Sequence, residues 1–524
     1  MDHSYAHSKA FPIIDGIALM RFRDLLSAGR IFEMGQLRDV LHEPAWRESD
    51  LGQPLPDSEH ACSVCLPTWD SVIGYEEERE KIMRKLRTGY PRFLFNAHVG
   101  LLMQKAQESV ARAGERVAVF PTREAVQRAQ RFFEKRHDSA SRVTDFENLQ
   151  VLAVDERHFD TVKLYWRLSG EIVSSRQAKD VVGGTLEDSS DSELVGELAR
   201  EFECAPEDLF VCESGMSAFG AIHRAVINLA PAKKTLQLDF PYVDALKVQK
   251  HFGRGVVFLP LAEGEDFDEA LSRIRKGEFA GIFCELPSNP LLRTLDIERL
   301  SEAAKQGQVP VIIDDTVTSH ANVNVLPFAD AVTTSLTKWV SGKGDVTAGL
   351  VRLNPNSKFY EELKQHLSEH EKGQNRLYSS DARVLRDNLL GFRERMRKVN
   401  RNGELVVEYL SHHDEVRDIW FPALVTQENY DIVRREEGGY GGLLSLSLKN
   451  EKSAARVFDA LAWNKGPSLG NEFSLACPYT ILAHYHERDW AEECGVPSHL
   501  IRLSVGIEEP AVLLKSLEVA LQQA

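Results

Sequence analysis

The sequence lacks the features of a membrane or secreted protein. No apolar run approaches the roughly 20 residues that a membrane-spanning helix needs. The stretch Met1 to Ala10 has no apolar segment of the secretory type, and the acids at Asp2, Asp15 and Asp24 are unlike a mitochondrial presequence. We therefore expect a cytoplasmic protein with no membrane partner.

Cysteine is also scarce, and acidic residues outnumber basic ones. The 524 residues include 7 cysteines, an odd number in a long chain, so a disulfide framework is not expected. Cys62 and Cys65 form a C-x-x-C, but no second pair follows at a spacing that suits zinc, so we predict two ordinary thiols and no metal site. The net charge of -16 argues against nucleic acid as a partner.

What is present is the composition of an ordinary globular protein, 43% hydrophobic and 27% charged, in a chain long enough for two or three domains. We predict an N-terminal extension over residues 1–60, a large domain over 61–354 and a smaller α+β domain over 355–524. Between about 208 and 350 short apolar runs alternate with helical patterns, which predicts an α/β domain with a mostly parallel sheet. The predicted strands are Leu209–Cys212, Thr235–Asp239, Gly255–Leu261, Gly281–Glu285, Val309–Asp314, Ala331–Ser335 and Ala348–Leu353.

Two further β-α units precede this region, with strands at Val117–Thr122 and Leu149–Val154. They fall within residues 99–170, which we interpret as an insertion in the large domain.

The sequence Ser335-Leu-Thr337-Lys338 begins at the end of one of the predicted strands, and the strand before that one ends in Asp314. A lysine amine can form a Schiff base with the aldehyde of pyridoxal phosphate (PLP), and nearby hydroxyls can hold phosphate oxygens. An aspartate at a strand end can keep the pyridine nitrogen protonated, so that the ring draws in electrons. This pattern suggests a PLP site, although a solvated lysine in a surface turn has the same local sequence.

Other polar motifs follow strands of the same region. Ser214-Gly215-Met216 opens a helix, where backbone N–H groups bind phosphate. Tyr242 is placed to lie over a flat ring, and Asn289 follows a strand that ends in Glu285. Because ligands bind at the carboxyl ends of parallel strands, we expect these residues to meet in one site.

Together these motifs resemble the Cys/Met-metabolism family of PLP-dependent enzymes, which have the fold-type I architecture. The family patterns S-G-M, D-x-x-Y, E-x-P-S-N-P-L-L-R, D-(N/D)-T, S-x-T-K-x-x-x-G-x-x-D-V-x-x-G and R-L-S-V-G-x-E-(D/E) appear in order between Ser214 and Glu509. Details such as Gly89-Tyr-Pro-Arg-Phe93 look like the long fungal cystathionine γ-synthases.

The resemblance implies a role for each matching residue. Lys338 would hold PLP and move protons, and Asp314 would pair with the pyridine nitrogen. Tyr242 would stack on the ring and assist proton transfer. The phosphate would be held by Gly215, Met216, Ser335 and Thr337, and the substrate would be bound by Arg502, Asn289 and Ser468.

The family segment that reaches a neighbouring subunit's phosphate has no full match. Tyr90 and Arg92 fit when counted from the N-terminal side, whereas Arg176 fits when counted back from Ser214 but lacks the tyrosine. We predict that Tyr90 and Arg92 are the residues of this segment. Trp339 and Asp315 also replace the residues that are common in the family. A site shared between subunits implies a homodimer or a homotetramer.

The resemblance implies γ-replacement on an O-acylated homoserine, with cysteine as the acceptor and cystathionine as the product. The substrates are thus small amino acids. Three alternatives remain open: another nucleophile such as sulfide, an amine or a carbon acid, as in fungal secondary metabolism; a lyase reaction; or an inactive regulator with this fold. An intact Lys338, Asp314 and Arg502 argue against the last.

Overall fold

The computed structural model describes residues 38–185, 193–370 and 375–524. Most of the predicted N-terminal extension therefore lies outside the described residues. Within the described ranges no helix combines the length and the hydropathy needed to cross a membrane.

The first described segment is an arm that lies along the rest of the chain. Strands β1 (Pro54–Leu55) and β2 (Ser63–Val64) pair antiparallel, and helices follow at Trp69–Glu76 and Glu80–Met83. Thr68 and Ser71 close a capping box at the first of these helices, because each side chain bonds the backbone N–H of the other.

Residues 97–183 form a unit with a sheet of its own. Its strands are β3 (Glu115–Phe120), β4 (Ser141–Phe146) and β5 (Leu149–Asp155), in the antiparallel order β3-β5-β4. Its helices are Ala97–Val110, Arg123–Glu134, Phe159–Ser169 and Ser175–Gly183. Aromatic side chains including Phe120, Phe133 and Trp166 fill a separate core. The sequence predicts β3 and β5 with a helix after each, whereas β4 between them is not predicted.

The main sheet has seven strands in the order β6-β12-β11-β10-β9-β7-β8. These are β6 (Leu209–Cys212), β7 (Thr235–Leu238), β8 (Val256–Leu259), β9 (Ile282–Glu285), β10 (Val311–Asp314), β11 (Ala331–Thr334) and β12 (Gly349–Leu353). The ladders are parallel except that β12 runs antiparallel to both of its neighbours. The mostly parallel sheet that the sequence predicts is confirmed.

Helices cover both faces of this sheet, which is why its strands are almost continuously apolar. The helices are Glu193–Glu201, Gly215–Leu229, Val243–His251, Gly264–Arg275 and Ile297–Gly307. Two cores result, one on each face, and each fully buried Val, Leu or Ile in them contributes about 1.5–3 kcal/mol.

The C-terminal region combines helices with a five-stranded sheet in the order β13-β14-β17-β16-β15. The strands are β13 (Val416–Trp420), β14 (Leu443–Leu448), β15 (Asn464–Lys465), β16 (Leu475–Pro478) and β17 (Ile501–Ser504). The helices of eight or more residues are Tyr360–His370, Ser379–Leu389, Phe392–Ser411 and Pro510–Leu521; the shorter ones are Pro422–Val425, Gln427–Val433, Ala454–Ala460, Tyr479–His484 and Arg488–Glu493.

The N-terminal arm is part of the C-terminal core. Apolar side chains between Val64 and Leu94 pack in one cluster with residues of β14, β17 and the last helix. The backbone N–H of Trp69 also donates to the carboxylate of Asp459 at 2.7 Å. The arm thus reaches the C-terminal unit, and the domain boundaries drawn from the sequence stay a prediction.

Candidate active site

A cavity of about 270 Å³ lies at the carboxyl edge of the main sheet, between the arm and the C-terminal unit. All but one of the residues that the sequence predicts for the site line it: Tyr90, Arg92, Gly215, Met216, Tyr242, Asn289, Asp314, Ser335, Lys338, Ser468 and Arg502. Parallel strands end at this edge, which explains why residues from distant parts of the chain meet here.

Lys338 is half-buried in the wall of this cavity. Its amine donates a 2.7 Å hydrogen bond to the hydroxyl of Ser468 and lies 4.6 Å from the centre of the Tyr90 ring. Burial, together with repulsion from Arg502 and Arg92, lowers the pKa of Lys338 to about 7. An amine with such a pKa is partly neutral at neutral pH, as a nucleophile or a base must be.

Asp314 ends β10 beside Glu285, its partner in register at the end of β9. Its carboxylate accepts hydrogen bonds from the hydroxyl of Thr333 at 3.0 Å and from the backbone N–H of Thr316 at 2.9 Å. Burial raises the pKa of Asp314, and burial followed by the charge of Asp314 raises the pKa of Glu285. Two acids that face one cavity favour a cationic ligand group, such as a protonated ring nitrogen.

Tyr242 lies just before the helix Val243–His251. Its backbone N–H donates to Glu285 at 2.6 Å, and its hydroxyl accepts a 2.5 Å hydrogen bond from Nη2 of Arg92. Burial raises the pKa of Tyr242, although the Arg92 guanidinium opposes this shift. The phenol therefore stays protonated at neutral pH.

Gly215 begins the helix Gly215–Leu229, with Ser214 as its cap. A Cβ atom at Gly215 would lie 2.8 Å from the Cβ of Ser335, so only glycine fits here. The backbone of a helix N-terminus and the Ser335 hydroxyl thus lie side by side, as phosphate binding requires.

Thr337 is the predicted residue that does not line the cavity. Its hydroxyl donates to the carbonyl oxygen of Ala348 at 3.2 Å and accepts from the N–H of Ala348 at 3.0 Å. The side chain is buried and its hydrogen bonds join the lysine loop to β12, and its contact with the phosphate stays a prediction.

Arg502 lies on β17 and is 6% exposed. Its guanidinium donates to Oδ1 of Asn289 at 3.0 Å and to the carbonyl oxygen of Ser468 at 2.8 Å. The ring of Tyr479 lies 4.9 Å from it. These contacts fix a planar cation at the cavity wall, the group best suited to bind a carboxylate in a bidentate manner.

Tyr90 and Arg92 belong to the arm and line the cavity of their own chain. The resemblance implies that such a segment reaches a neighbouring subunit. Arg176, the alternative, instead donates to the carbonyl oxygen of Asp345 at 2.8 Å and to Asp381 at 3.0 Å, and it does not line the cavity. The geometry favours Tyr90 and Arg92 over Arg176.

The sequence does not single out three residues of this site. Glu285 and Tyr479 line the cavity, and Asp244 binds Arg92 from behind. A signal exists for Glu285, which ends a predicted strand as Asp314 does. None exists for Asp244, because its partner is 152 residues away in the sequence.

These residues fit PLP. Lys338 would hold its aldehyde, Asp314 its ring nitrogen and Gly215 with Ser335 its phosphate, beside the ring of Tyr242.

By contrast, among the described residues no three His, Cys, Asp or Glu side chains are grouped as a metal site requires. Cys62 and Cys65, whose spacing resembles a metal motif, are buried as free thiols on either side of β2.

Comparison with known proteins gives two family matches. Residues 195–522 match the family described as Cys/Met metabolism PLP-dependent enzyme, and residues 98–174 match the fungal trans-sulfuration enzyme N-terminal domain. The second range nearly coincides with the segment that the sequence suggests is an insertion.

Individual relatives agree with this result. Cystathionine gamma-synthase of Neurospora crassa is 29% identical, over 91% of this chain and 99% of its own. A cystathionine gamma-synthase-like enzyme of Amanita muscaria is also 29% identical, over 90% of this chain and 96% of its own. The structure of cystathionine gamma synthase from Xanthomonas oryzae pv. oryzae, in complex with aminoacrylate and cysteine, covers 63% of this chain and 84% of its own, at 27% identity and a TM-score of 0.55.

The fold-type I architecture and PLP as the cofactor are thereby confirmed, whereas the roles of individual site residues stay predictions. This chain belongs to the Cys/Met metabolism family of PLP-dependent enzymes.

Proposed function

We propose that this protein is a cystathionine γ-synthase, which replaces the γ-acyloxy group of an O-acylated homoserine by the sulfur of cysteine. One observation carries the proposal: Ser468 joins Lys338 to Arg502. The Ser468 hydroxyl accepts from the lysine amine at 2.7 Å, and its carbonyl oxygen accepts from Arg502 at 2.8 Å. A base in the cavity wall is thereby held beside a carboxylate-binding group.

PLP supplies an electron sink that makes the hydrogens on Cα and Cβ of a bound amino acid acidic. Arg502 binds the α-carboxylate of the acylated homoserine and so directs its Cα towards Lys338. The Lys338 amine, with a pKa near 7, then moves protons at Cα and Cβ. The acyloxy group leaves Cγ as a carboxylate, and the cysteine sulfur bonds to Cγ in its place. O-acetylhomoserine and cysteine thus give cystathionine and acetate.

The relatives support this choice of reaction. The Neurospora crassa relative is described as a cystathionine gamma-synthase, and its similarity to this chain extends over nearly the full length of both. We infer O-acetyl rather than O-succinyl homoserine as the donor from the resemblance to fungal enzymes. A second candidate is γ-replacement with a different nucleophile, because the Amanita muscaria relative is equally identical and is described only as synthase-like.

We also propose that the protein is a cytoplasmic homodimer or homotetramer, as the family resemblance implies. Sedimentation of the holoprotein tests this assembly, and a monomer would contradict it.

The test of the proposed activity is product analysis after incubation with O-acetylhomoserine, with and without cysteine. Cystathionine that forms only with cysteine supports the synthase. An absorbance band at about 420 nm in the wild type that is lost in Lys338→Ala would separately establish the bound cofactor. Its absence from the wild type would favour an inactive protein with this fold.

A further inference from the structure

Tyr479 lies on the cavity wall with a hydroxyl that has no partner in the protein. The side chain lines the cavity and is 3% exposed. None of the residues that the structure describes forms a hydrogen bond with this hydroxyl. Because an enclosed hydroxyl without a partner costs free energy, tyrosine is unfavourable here unless a ligand supplies the missing acceptor.

The strand register puts Tyr479 beside Arg502. Cys477 of β16 is the partner in register of Arg502 on β17, and Tyr479 follows Cys477 by two residues. Side chains two residues apart in an extended chain point to the same face, and a long side chain reaches its diagonal neighbour on the next strand. The centre of the Tyr479 ring accordingly lies 4.9 Å from the guanidinium carbon of Arg502. The phenol is thus next to the group that we assign to the substrate carboxylate.

Packing holds the Tyr479 ring in place. Its backbone N–H donates to the carbonyl oxygen of Leu500 at 3.0 Å, which extends the pairing of β16 with β17 by one residue. The side chain packs in one apolar cluster with Phe240 and Leu291, and the ring of His484 lies 5.8 Å away. A ring that is already fixed loses little further freedom when its hydroxyl binds a ligand.

The Tyr479 hydroxyl is a hydrogen-bond donor at neutral pH. Burial raises the pKa of the phenol well above its ordinary value, and the positive charge of Arg502 opposes this shift only in part. A protonated phenol has one hydrogen to donate. The missing partner is therefore an acceptor, and an anionic acceptor suits a position beside a guanidinium.

Arg502 alone leaves a carboxylate incompletely bonded. Its guanidinium uses one N–H group for Oδ1 of Asn289 and another for the carbonyl oxygen of Ser468. The groups that remain can form two parallel bonds to a carboxylate, which has about four acceptor sites. Once a bound substrate has displaced water, its other acceptor sites need donors from the protein. The hydroxyl of Tyr479 is such a donor.

We propose that Tyr479 is a further substrate-binding residue, whose hydroxyl donates a hydrogen bond to the α-carboxylate that Arg502 binds. The residue then favours amino acids over amines that lack the carboxylate. The inference rests on the role of Arg502 in the proposed function, and it is independent of which nucleophile the enzyme uses.

The test is Tyr479→Phe, which removes the hydroxyl and keeps the ring on Arg502. The ligand is L-2-aminobutyrate, which has the carbon chain and the carboxylate of homoserine but no leaving group. It is titrated into the PLP-loaded protein, and the change in the absorbance band at about 420 nm gives its dissociation constant. We expect the variant to raise this constant by about tenfold, or about 1.4 kcal/mol, as for a hydrogen bond to a charged group. An unchanged constant would overturn the proposal.

A second ligand tests whether the contact is with the carboxylate. Propylamine has the same carbon chain as 2-aminobutyrate without the carboxylate, so the wild type and Tyr479→Phe should bind it equally. A loss of affinity as large as that for 2-aminobutyrate would overturn the proposal. The affinity for PLP should also be equal in the two proteins, and a tenfold loss there would place the hydroxyl on the cofactor instead.

The matched control is Tyr430, which is 0% exposed, lies away from the cavity lining and donates its hydroxyl to the carbonyl oxygen of Gly439 at 2.8 Å. Tyr430→Phe breaks a bond within the protein, so the cofactor-free variant should melt below the wild type with an unchanged dissociation constant. Tyr479→Phe should show the opposite pattern, with weaker binding and a melting temperature at or above that of the wild type. A clear loss of stability in Tyr479→Phe would mean that its hydroxyl has a partner within the protein, and would overturn the proposal.

These readouts separate the inference from the proposed function, because 2-aminobutyrate cannot undergo γ-replacement. Binding that depends on Tyr479 in a protein that makes no cystathionine would support the inference and contradict the synthase. Cystathionine formation by Tyr479→Phe with a wild-type KM for O-acetylhomoserine would support the synthase and overturn the inference.

Discussion

The amine of Lys338 lies 2.7 Å from the hydroxyl of Ser468, a residue 130 positions later in the sequence. Ser468 has a φ of 93°, in the left-handed region that non-glycine residues seldom adopt. Gly470, two residues later in the sequence, has no room for a side chain, because a Cβ atom there would lie 2.9 Å from the Cβ of Lys338. The backbone of this C-terminal loop thus closes directly onto the lysine, and the site depends on both units.

Asp314→Asn should weaken cofactor binding and lower turnover by about 10²-fold or more, because an amide cannot stabilise the protonated ring nitrogen. The measurement is PLP affinity together with kcat. The adjacent acid provides the control: Asp315 bonds the Thr334 hydroxyl and does not line the cavity, so Asp315→Asn should keep both values near wild type. Equal losses in the two variants would contradict the role of Asp314.

Arg502→Lys should raise KM for the acylated homoserine by about tenfold or more, since a lysine cannot form the bidentate pair with a carboxylate. The cofactor band should stay unchanged. Arg417, which is paired with Asp418 and Glu451 at the surface, offers a control, and Arg417→Lys should leave KM unaltered. A wild-type KM in Arg502→Lys would show that another group binds the carboxylate.

Lys338 should make the stability of the cofactor-free protein depend on pH. Its pKa is about 7 when folded, against 10.5 as the ordinary value. Between these values the unfolded chain binds one more proton, so the free energy of unfolding rises with pH across this window. Below pH 7 the amine is protonated in both the folded and the unfolded chain, so the full free-energy cost of burying the cation remains.

Lys338→Met removes this cost, so the variant should melt above the wild type at pH 6, and the difference should shrink as the pH approaches 10. Paired thermal unfolding curves of the cofactor-free proteins measure it. A difference that does not vary with pH would mean that the amine is not desolvated as the geometry indicates.

Gly215→Ala should loosen the phosphate end of the site. The added methyl group would lie 2.8 Å from Ser335, and relieving such a contact costs about 1–3 kcal/mol. We expect weaker PLP binding and a lower melting temperature. Gly100 lies in a helix with open space around it, so Gly100→Ala should instead stabilise by about 0.5–1 kcal/mol. Unaltered PLP binding in Gly215→Ala would argue against a phosphate at this helix.

The main sheet could be predicted closely because its strands are buried on both faces. The run Leu209–Cys212 matches β6 fully, and the other predicted strands match within a few residues at each end. The motifs at the strand ends then define most of the cavity, since parallel topology alone brings Asp314, Ser335 and Tyr242 to one edge. The local sequence and the fold class were therefore sufficient to predict the main sheet and the residues at its carboxyl edge.

Other features leave no local pattern. The strand β4 is half-exposed and polar, so its composition resembles a loop. The antiparallel direction of β12 follows from its connection, not from its residues. The bonds from Arg92 to Asp244 and Tyr242 join positions about 150 residues apart and depend on the packing of the arm against the rest of the chain. Thr337 carries the expected residue type, yet its hydroxyl is engaged by Ala348.

The measurement that most directly tests the account is the fate of O-acetylhomoserine in the presence of isotopically labelled cysteine. We predict labelled cystathionine and acetate in equal amounts, with little 2-oxobutyrate, and loss of both products in Lys338→Ala. Formation of 2-oxobutyrate and ammonia alone, with no labelled cystathionine at any cysteine concentration, would contradict the assignment as a cystathionine γ-synthase.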